Sequence, residues 1–96
     1  MVAANPDAPA VIGQLRAALE TAFTPAALEI IDDSARHAGH AGARSGGHFR
    51  VTLVAEAFRG HSALERHRLV YAAVAALLQG KVHALNIVAR APGEAN

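Results

Sequence analysis

The sequence contains no cysteine among its 96 residues. This absence excludes a disulfide framework, a cysteine nucleophile and an all-cysteine metal site, and any iron–sulfur cluster would need thiolates from a partner. Aromatic residues make up only 4% of the chain, so we expect a core with few large side chains. No apolar run reaches the roughly 18 residues that a membrane span needs. Residues 1–10 lack the basic and apolar regions of a secretory signal, and we therefore expect a cytoplasmic protein with no membrane partner.

Neither sign of charge dominates, because nine Lys and Arg residues stand against eight Asp and Glu residues. A dedicated nucleic-acid-binding domain usually has an isoelectric point above about 9, so this balance argues against one without excluding a local basic patch. The sequence also has no nucleophile elbow, no glycine-rich phosphate loop with the GxxxxGK[ST] pattern and no HExxH zinc helix. We therefore expect a protein that is not an enzyme.

Hydrophobic spacing predicts five main elements in a chain whose length suits a single domain. Apolar residues at helical spacing predict a helix over 9–23, and a short β-branched segment predicts a strand over 28–33. Alternating polar and apolar residues predict a second strand around 49–53. Ser62 and Glu65 form a capping-box pattern, which predicts the start of a helical run that continues to about Leu78 and stops at Gly80. A third strand is predicted over 81–89.

The order of these elements predicts an α+β fold with two layers. Gly60 and a possible kink near Glu65 divide the second helical region into two parts, giving the order αββααβ. The first two strands are expected to be antiparallel, and the crossover through the helices makes the second and third strands parallel. A three-stranded mixed sheet with the helices on one face results. We place the domain at residues 9–90, between a flexible leader at 1–8 and a flexible tail at 91–96.

Histidine is frequent for so short a chain, and imidazole is a common metal ligand. The six histidines are His37, His40, His48, His61, His67 and His83. His37 and His40 lie in a glycine-rich loop that core packing does not explain, and His83 begins the third strand, where it can face solvent or a partner. The predicted apolar stripe of the long helix includes Leu64, Val70 and Val74. His67 lies on the same stripe, where a core-edge role is more common than ligation. His48 and His61 are interpreted as structural or solvated, and each histidine taken alone is more often structural than functional.

Three arginines surround the capped helix, namely Arg59, Arg66 and Arg68. A helix start carrying such residues can meet DNA phosphates. The alternative is a solvated arginine face whose side-chain stems cover apolar surface. A KH-type nucleic-acid site would need a GxxG loop between its helices, and the region of Gly60 offers only one glycine.

Four segments together resemble the BolA family, and the resemblance covers residues 12–90. The segments are His48-Phe49-Arg50-Val51, Phe58-Arg59-Gly60, Arg66-His67-Arg68-Leu69-Val70-Tyr71 and Val82-His83-Ala84-Leu85. The spacing between them is specific. The resemblance implies a class II KH-like fold, which agrees with the order of elements predicted above.

The resemblance also implies a partner and a cofactor. Members of the family act with monothiol glutaredoxins, and together they hold a [2Fe–2S] cluster between BolA histidines on one side and a glutaredoxin cysteine with glutathione on the other. The family's invariant ligand falls on His83, and its second ligand, from the loop between the first two strands, falls on His37. His40 lies three residues further on and is the alternative second ligand. The chain thus resembles the histidine-type branch of the family, with a role in iron–sulfur and iron homeostasis.

A second function is implied by bacterial members of the family, which are described as DNA-binding transcription regulators that affect morphology and stress responses. The residues that would carry this role are Arg59, Arg66, His67 and Arg68. Duplex DNA is therefore the alternative partner. Without a partner, the chain is expected to be a monomer or a weak dimer.

Overall fold

Two α-helices and three β-strands form the part of the chain that the computed structural model describes, residues 8–33 and 47–94. In chain order the elements are α1 (Ala8–Phe23), β1 (Ala27–Asp32), β2 (Gly47–Val54), a 3-10 turn (Glu56–Phe58), α2 (Ala63–Ala73), a second 3-10 turn (Ala75–Leu78) and β3 (Val82–Arg90). This arrangement confirms the predicted α+β fold with a mixed sheet and its helices on one face. Residues 1–7 of the predicted leader, and residues 34–46 of the glycine-rich loop between β1 and β2, lie outside the described residues.

The sheet has the order β1-β2-β3, with β1 antiparallel to β2 and β2 parallel to β3, as predicted. The central strand β2 shows the alternation of a sheet with one covered face. Phe49, Val51 and Leu53 are at most 2% exposed, whereas the residues between them are half-buried. The helices therefore cover the face that carries these three side chains.

Helix α1 contributes one side of the core. Val11, Leu15 and Leu19 recur every four residues, so they share one face of the helix and are at most 3% exposed. The helix ends where the Thr24 N–H donates to the Glu20 carbonyl at 3.0 Å. Pro25 follows and disfavours helical geometry for the residue before it. The observed boundaries lie within one residue of the predicted ones.

The start of α2 confirms the predicted capping box. The Ser62 hydroxyl accepts a hydrogen bond from the Glu65 N–H at 3.1 Å, and the Ser62 N–H donates to the Glu65 carboxylate at 2.8 Å. These two bonds satisfy donors that the first turn of a helix otherwise leaves unpaired. Gly80 lies at the predicted stop before β3 with φ of 120°, a backbone conformation that favours glycine.

Two predictions for the second helical region were wrong. The region is not divided near Glu65, because α2 is continuous from Ala63 to Ala73. Val74 leaves helical geometry while its side chain stays in the core, and a 3-10 turn then carries the helical run to Leu78, its predicted end. Leu64 was assigned to the buried stripe, but it is 59% exposed. Six residues separate it from Val70, which rotates the two side chains by about 240° around the helix axis. Residue type alone did not reveal which side of this short helix faces the sheet.

The chain after β3 is held against the domain, although the sequence predicted a flexible tail from residue 91. Ala91 is only 1% exposed, and the Glu94 N–H donates to its carbonyl at 3.2 Å. Residues 95–96 lie outside the described part of the chain.

Candidate functional site

His83 occupies an irregular position at the start of β3. Gly47 of β2 pairs with Val82, but His48 pairs with Ala84, so β3 contains one extra residue and His83 has no partner across the ladder. Val82 and Leu85 are both buried, although strict alternation would place residues three apart on opposite faces. The bulge therefore keeps both apolar side chains in the core and leaves His83 exposed. Bulges of this kind re-aim side chains and are frequent beside functional sites.

The second imidazole at this position belongs to His48, which sequence reasoning had interpreted as structural or solvated. It lies on β2, on the face of the sheet opposite the core residue Phe49, and is half-buried. The ring centres of His48 and His83 are 5.0 Å apart, and their planes are inclined by 45°. The structure thus brings together two imidazoles from neighbouring parallel strands. We call them the histidine pair.

An open cleft of about 670 Å³ adjoins the histidine pair on the His48 side. Its lining residues are Asp33, His48, Phe49, Arg50, His67, Ala84, Leu85 and Asn86. Across this cleft the Arg50 guanidinium lies 3.5 Å from the Asp33 carboxylate. The cleft therefore contains the Arg50–Asp33 ion pair and the His48 ring, and it has room for a group presented by a partner.

The two other histidines in the described part of the chain, His61 and His67, make contacts elsewhere rather than with the histidine pair. His37 and His40 lie outside those residues. His61 precedes α2 and its Nδ1 lies 3.4 Å from the Glu65 carboxylate. His67 is half-buried and packs its ring edge-on against Tyr71, with ring centres 5.9 Å apart. In residues 8–33 and 47–94, no group of three or more acidic, histidine or cysteine side chains is placed to hold a metal ion.

Arg66, one of the predicted DNA contacts, forms an ion pair and hydrogen bonds with other residues of the domain. Its guanidinium donates to both oxygens of Glu94 at 2.7 and 2.9 Å, and it also donates to the carbonyls of His61 and Ala89 at 2.9 and 3.0 Å. This two-pronged geometry is the strong form of an arginine–carboxylate pair. The pair ties the chain after β3 to the start of α2 and so holds residues 91–94 against the domain.

Arg59 is also engaged. It pairs with both oxygens of Glu56 and donates to the Pro92 carbonyl at 2.9 Å. The hydrogen bonds from Arg59 lower the pKa of the Glu56 carboxyl, and the Glu56 carboxylate in turn raises the pKa of Arg59. Arg68, by contrast, points to solvent from α2. The three arginines are therefore not an equivalent basic surface, because carboxylates compensate the charge of two of them.

Acid should release the residues that follow β3. The hydrogen bonds from Arg66, together with one from the Ala91 N–H, lower the pKa of the Glu94 carboxyl from its usual 4.5 to about 2. A carboxylate with a lowered pKa stabilises the folded state above its unfolded pKa. This contribution is therefore complete above pH 4.5 and is lost as the pH falls toward 2. An NMR titration should show the Glu94 carboxyl carbon and the Ala91 amide shifting together in that range.

The matched controls for this titration are two arginine variants. Arg66→Gln should return the pKa of Glu94 most of the way to its usual value, whereas Arg59→Gln should change it much less, because Arg59 acts on Glu94 only through its charge. Equal effects of the two variants would contradict the assignment of Arg66 as the main partner.

Sequence reasoning missed three features of this region. The position of His48 beside His83 and the bulge in β3 both depend on how two strands distant in the sequence align. No local sequence pattern predicts that alignment. Glu94 was placed in a flexible tail because Pro92 and Gly93 precede it. The charge of Glu94 could have indicated its contact with Arg66, because an isolated acidic residue shortly after a strand can form an ion pair with an arginine on a neighbouring helix.

No helix among the described residues is long and apolar enough to cross a membrane. This finding covers α1 and α2, which have 16 and 11 residues.

Comparison with known proteins gives consistent matches in sequence and structure. The family model for BolA-like protein matches residues 19–94. Human BolA-like protein 1 is 48% identical over 80 residues, which cover 83% of this chain and 57% of that protein. The DNA-binding transcriptional regulator BolA of Escherichia coli K12 is 46% identical over 67 residues, which cover 70% of this chain and 62% of the regulator. The chain thus spans less than two thirds of the length of these relatives.

Solved structures support the same relationship. The BolA domain of SufE1 from Arabidopsis thaliana superposes with a TM-score of 0.77 at 41% identity, covering 86% of this chain and 93% of that domain. The solution structure of mouse BolA1 gives a TM-score of 0.71 at 45% identity, covering 96% of this chain and 70% of the mouse chain. The matched residues 19–94 include the capped helix, the bulge and the histidine pair. The chain therefore belongs to the BolA-like family.

Proposed function

We propose that this chain is a non-enzymatic cytoplasmic adaptor that binds a monothiol glutaredoxin and shares a [2Fe–2S] cluster with it, in iron–sulfur and iron homeostasis. The observation that supports this proposal most directly is His83, which a bulge in β3 leaves exposed beside a second imidazole. Histidine nitrogen is an established ligand for one iron of a [2Fe–2S] cluster, as in Rieske centres. The chain itself has no cysteine to offer as an alternative ligand.

The residues present fit one iron of such a cluster. His83 supplies an exposed imidazole on the edge strand β3, where a group presented by a partner can approach it. The remaining ligands are thiolates from the glutaredoxin cysteine and from glutathione. When bound, the cluster supplies a redox centre whose potential is higher than that of an all-thiolate cluster. His83 is the first ligand in this proposal, and the second is His37, with His40 as its alternative, as the family resemblance implies.

This chain's own contribution is to present and orient the imidazoles. β3 is an edge strand of the described sheet, so a partner can approach His83 without displacing another element. The bulge fixes the position of His83 relative to β2 through the parallel ladder that follows it. Sites built on strands hold their ligands more rigidly than sites built on loops. Without its partner, the chain is a monomer or a weak dimer in this proposal.

The experiment that tests the proposal is reconstitution of the complex. The chain is mixed with a monothiol glutaredoxin, glutathione, iron and sulfide, and absorption and circular dichroism spectra are compared with those of the glutaredoxin alone. A mixed complex should give a new spectrum, and the spectral change should be complete when the two proteins are present at a one-to-one ratio. A spectrum that remains that of the glutaredoxin homodimer, at any ratio of the two proteins, would rule the proposal out.

A second candidate function is DNA binding, favoured by the similarity to the DNA-binding transcriptional regulator BolA of Escherichia coli. In this alternative the surface comprises the sequence-predicted residues Arg59, Arg66, His67 and Arg68. Because Glu56 and Glu94 compensate Arg59 and Arg66, exposed Arg68 would carry most of the phosphate contact. In this alternative the DNA-binding surface is therefore only locally basic, and its electrostatic attraction for phosphates is weaker than three uncompensated arginines would give.

Titration of duplex DNA at several salt concentrations tests this alternative. Each phosphate contact should contribute roughly −0.9 to the slope of log K against log salt. Arg68→Ala should reduce the slope by about one contact, whereas Arg16→Ala should leave it unchanged because Arg16 lies on α1 and pairs with Glu20. Absence of binding, or equal effects of the two variants, would remove this alternative.

A further inference from the structure

We propose that the Arg66 guanidinium and the Ala91 N–H form a phosphate-binding site that Glu94 fills in the free protein, and that DNA phosphate competes with Glu94 for it. This inference rests on the second candidate function and specifies how its surface is controlled. The observation that carries it is the convergence of three donors on one carboxylate. Arg66 donates to Glu94 at 2.7 and 2.9 Å, and the Ala91 N–H donates to it at 2.9 Å.

The Arg66 guanidinium is also held in place by groups other than Glu94. Its Nε donates to the His61 carbonyl at 2.9 Å, and its Nη1 donates to the Ala89 carbonyl at 3.0 Å. Both acceptors are backbone atoms, one just before α2 and one in β3. Because these bonds do not involve Glu94, the guanidinium keeps its orientation when the carboxylate moves away. The site is therefore preorganised for an oxyanion.

Glu94 is the more accessible member of the pair. Its side chain is 35% exposed, whereas the Arg66 side chain is 14% exposed. Arg59 adjoins the same segment, since its guanidinium donates to the Pro92 carbonyl at 2.9 Å. A phosphate that arrives from solvent thus meets the Glu94 carboxylate first, and movement of that carboxylate uncovers Arg66.

Phosphate is a ligand that this donor set fits. An arginine binds a phosphate through two parallel N–H···O bonds, as it binds a carboxylate. The tethered Glu94 carboxylate competes for the site at an effective concentration in the millimolar range, so dilute free phosphate does not displace it. Duplex DNA carries one phosphate per about 1.7 Å of helix axis, and the exposed Arg68 can hold this dense array of phosphates beside α2. The occupant is therefore a phosphate of the DNA backbone.

Titration of duplex DNA with the variant Glu94→Ala tests the inference. Removing the competing carboxylate should tighten binding about tenfold, because charge-assisted hydrogen bonds from Arg66 become available to phosphate. The slope of log K against log salt should become steeper by about 0.9, the contribution of one added phosphate contact. The double variant Glu94→Ala/Arg66→Gln should lose both gains, which a mere change in net charge at Glu94 would not predict.

The matched control is Glu20→Ala, which removes one negative charge from α1, where Glu20 pairs with Arg16. Its DNA affinity should stay close to that of the wild type, and equal gains from Glu20→Ala and Glu94→Ala would overturn the inference. Far-ultraviolet circular dichroism checks folding. Glu94→Gln keeps the size of the side chain and should give a smaller gain in affinity, so it decides the result should Glu94→Ala fail to fold.

The remaining outcomes separate this inference from the proposed functions. If the wild-type protein binds DNA and Glu94→Ala binds it equally tightly, the masking of Arg66 is wrong, but the DNA-binding candidate stands. If neither protein binds DNA, both fail together. Glu94 lies after β3, whereas His83 lies at its start, so Glu94→Ala should still give the wild-type spectrum in the glutaredoxin reconstitution. Failure of that reconstitution with the wild-type protein would therefore concern the shared cluster alone.

Discussion

Replacing His83 by alanine should abolish the spectrum that distinguishes the mixed complex from the glutaredoxin homodimer. The physical reason is that His83 is the imidazole that the bulge in β3 exposes, and both proposed ligand sets depend on it. Truncation of an exposed side chain normally changes the free energy of unfolding by less than about 0.5 kcal/mol. The variant should therefore remain folded, and its loss of the spectrum would report the loss of a ligand.

The matched control for His83→Ala is His61→Ala. His61 is also exposed, but it lies in the turn before α2, away from β3. Its backbone carbonyl, which accepts from Arg66, is retained in the variant, and its side chain has only the exposed contact with Glu65 to lose. This variant should give the wild-type spectrum with the same yield of complex. A normal spectrum from His83→Ala, or an equal loss from both variants, would contradict the proposed role of His83.

Phe58→Ala should cause the largest loss of stability of any single substitution proposed for this chain. Phe58 is 0% exposed and stacks on Phe23, with ring centres 4.9 Å apart and planes inclined by 41°. Truncation of a buried phenylalanine to alanine costs about 3–5 kcal/mol, because burial is lost and a cavity remains. Domains of this kind are stable by only about 5–15 kcal/mol. Urea titration and thermal unfolding should show a fall in Tm of more than about 10 °C.

Leu64→Ala is the matched control for Phe58→Ala, since it also removes a large apolar side chain. Leu64 is 59% exposed at the start of α2, and alanine is at least as favourable as leucine in a helix. Its free energy of unfolding should stay within about 0.5 kcal/mol of the wild-type value. If the two variants lost equal stability, the core assignment of Phe58 would be wrong.

The scarcity of aromatic residues explains why one phenylalanine matters so much. Only four aromatic side chains occur in the sequence, three of them phenylalanines, and the rest of the apolar content is largely alanine and branched aliphatic residues. Phe49 and Phe58 are both nearly completely buried, while Tyr71 is 37% exposed and donates its hydroxyl to the Leu85 carbonyl. The core therefore depends on two large buried rings, and the partly buried ring of Phe23 packs beside one of them.

Local patterns predicted the elements well where each element carries its own signal. The alternation of Phe49, Val51 and Leu53 identified β2 and its buried face, and the Ser62–Glu65 pair identified the start of α2. The change from α-helix to 3-10 turn was not predicted, since alanine and leucine both favour an α-helix. It occurs at Val74, whose side chain is buried in the core.

The amino-acid order by itself determined the class of fold, the direction of each strand and the absence of thiol ligands, and it singled out His83 as the candidate ligand. These properties follow from short-range periodicity, from composition and from a family pattern that is linear in the chain. Only the tertiary structure decided that His48 lies beside His83, that Arg59 and Arg66 are compensated, and that Glu94 holds the residues after β3. Register, bulges and ion pairs between distant segments depend on how completed elements pack, and that packing has no local signature.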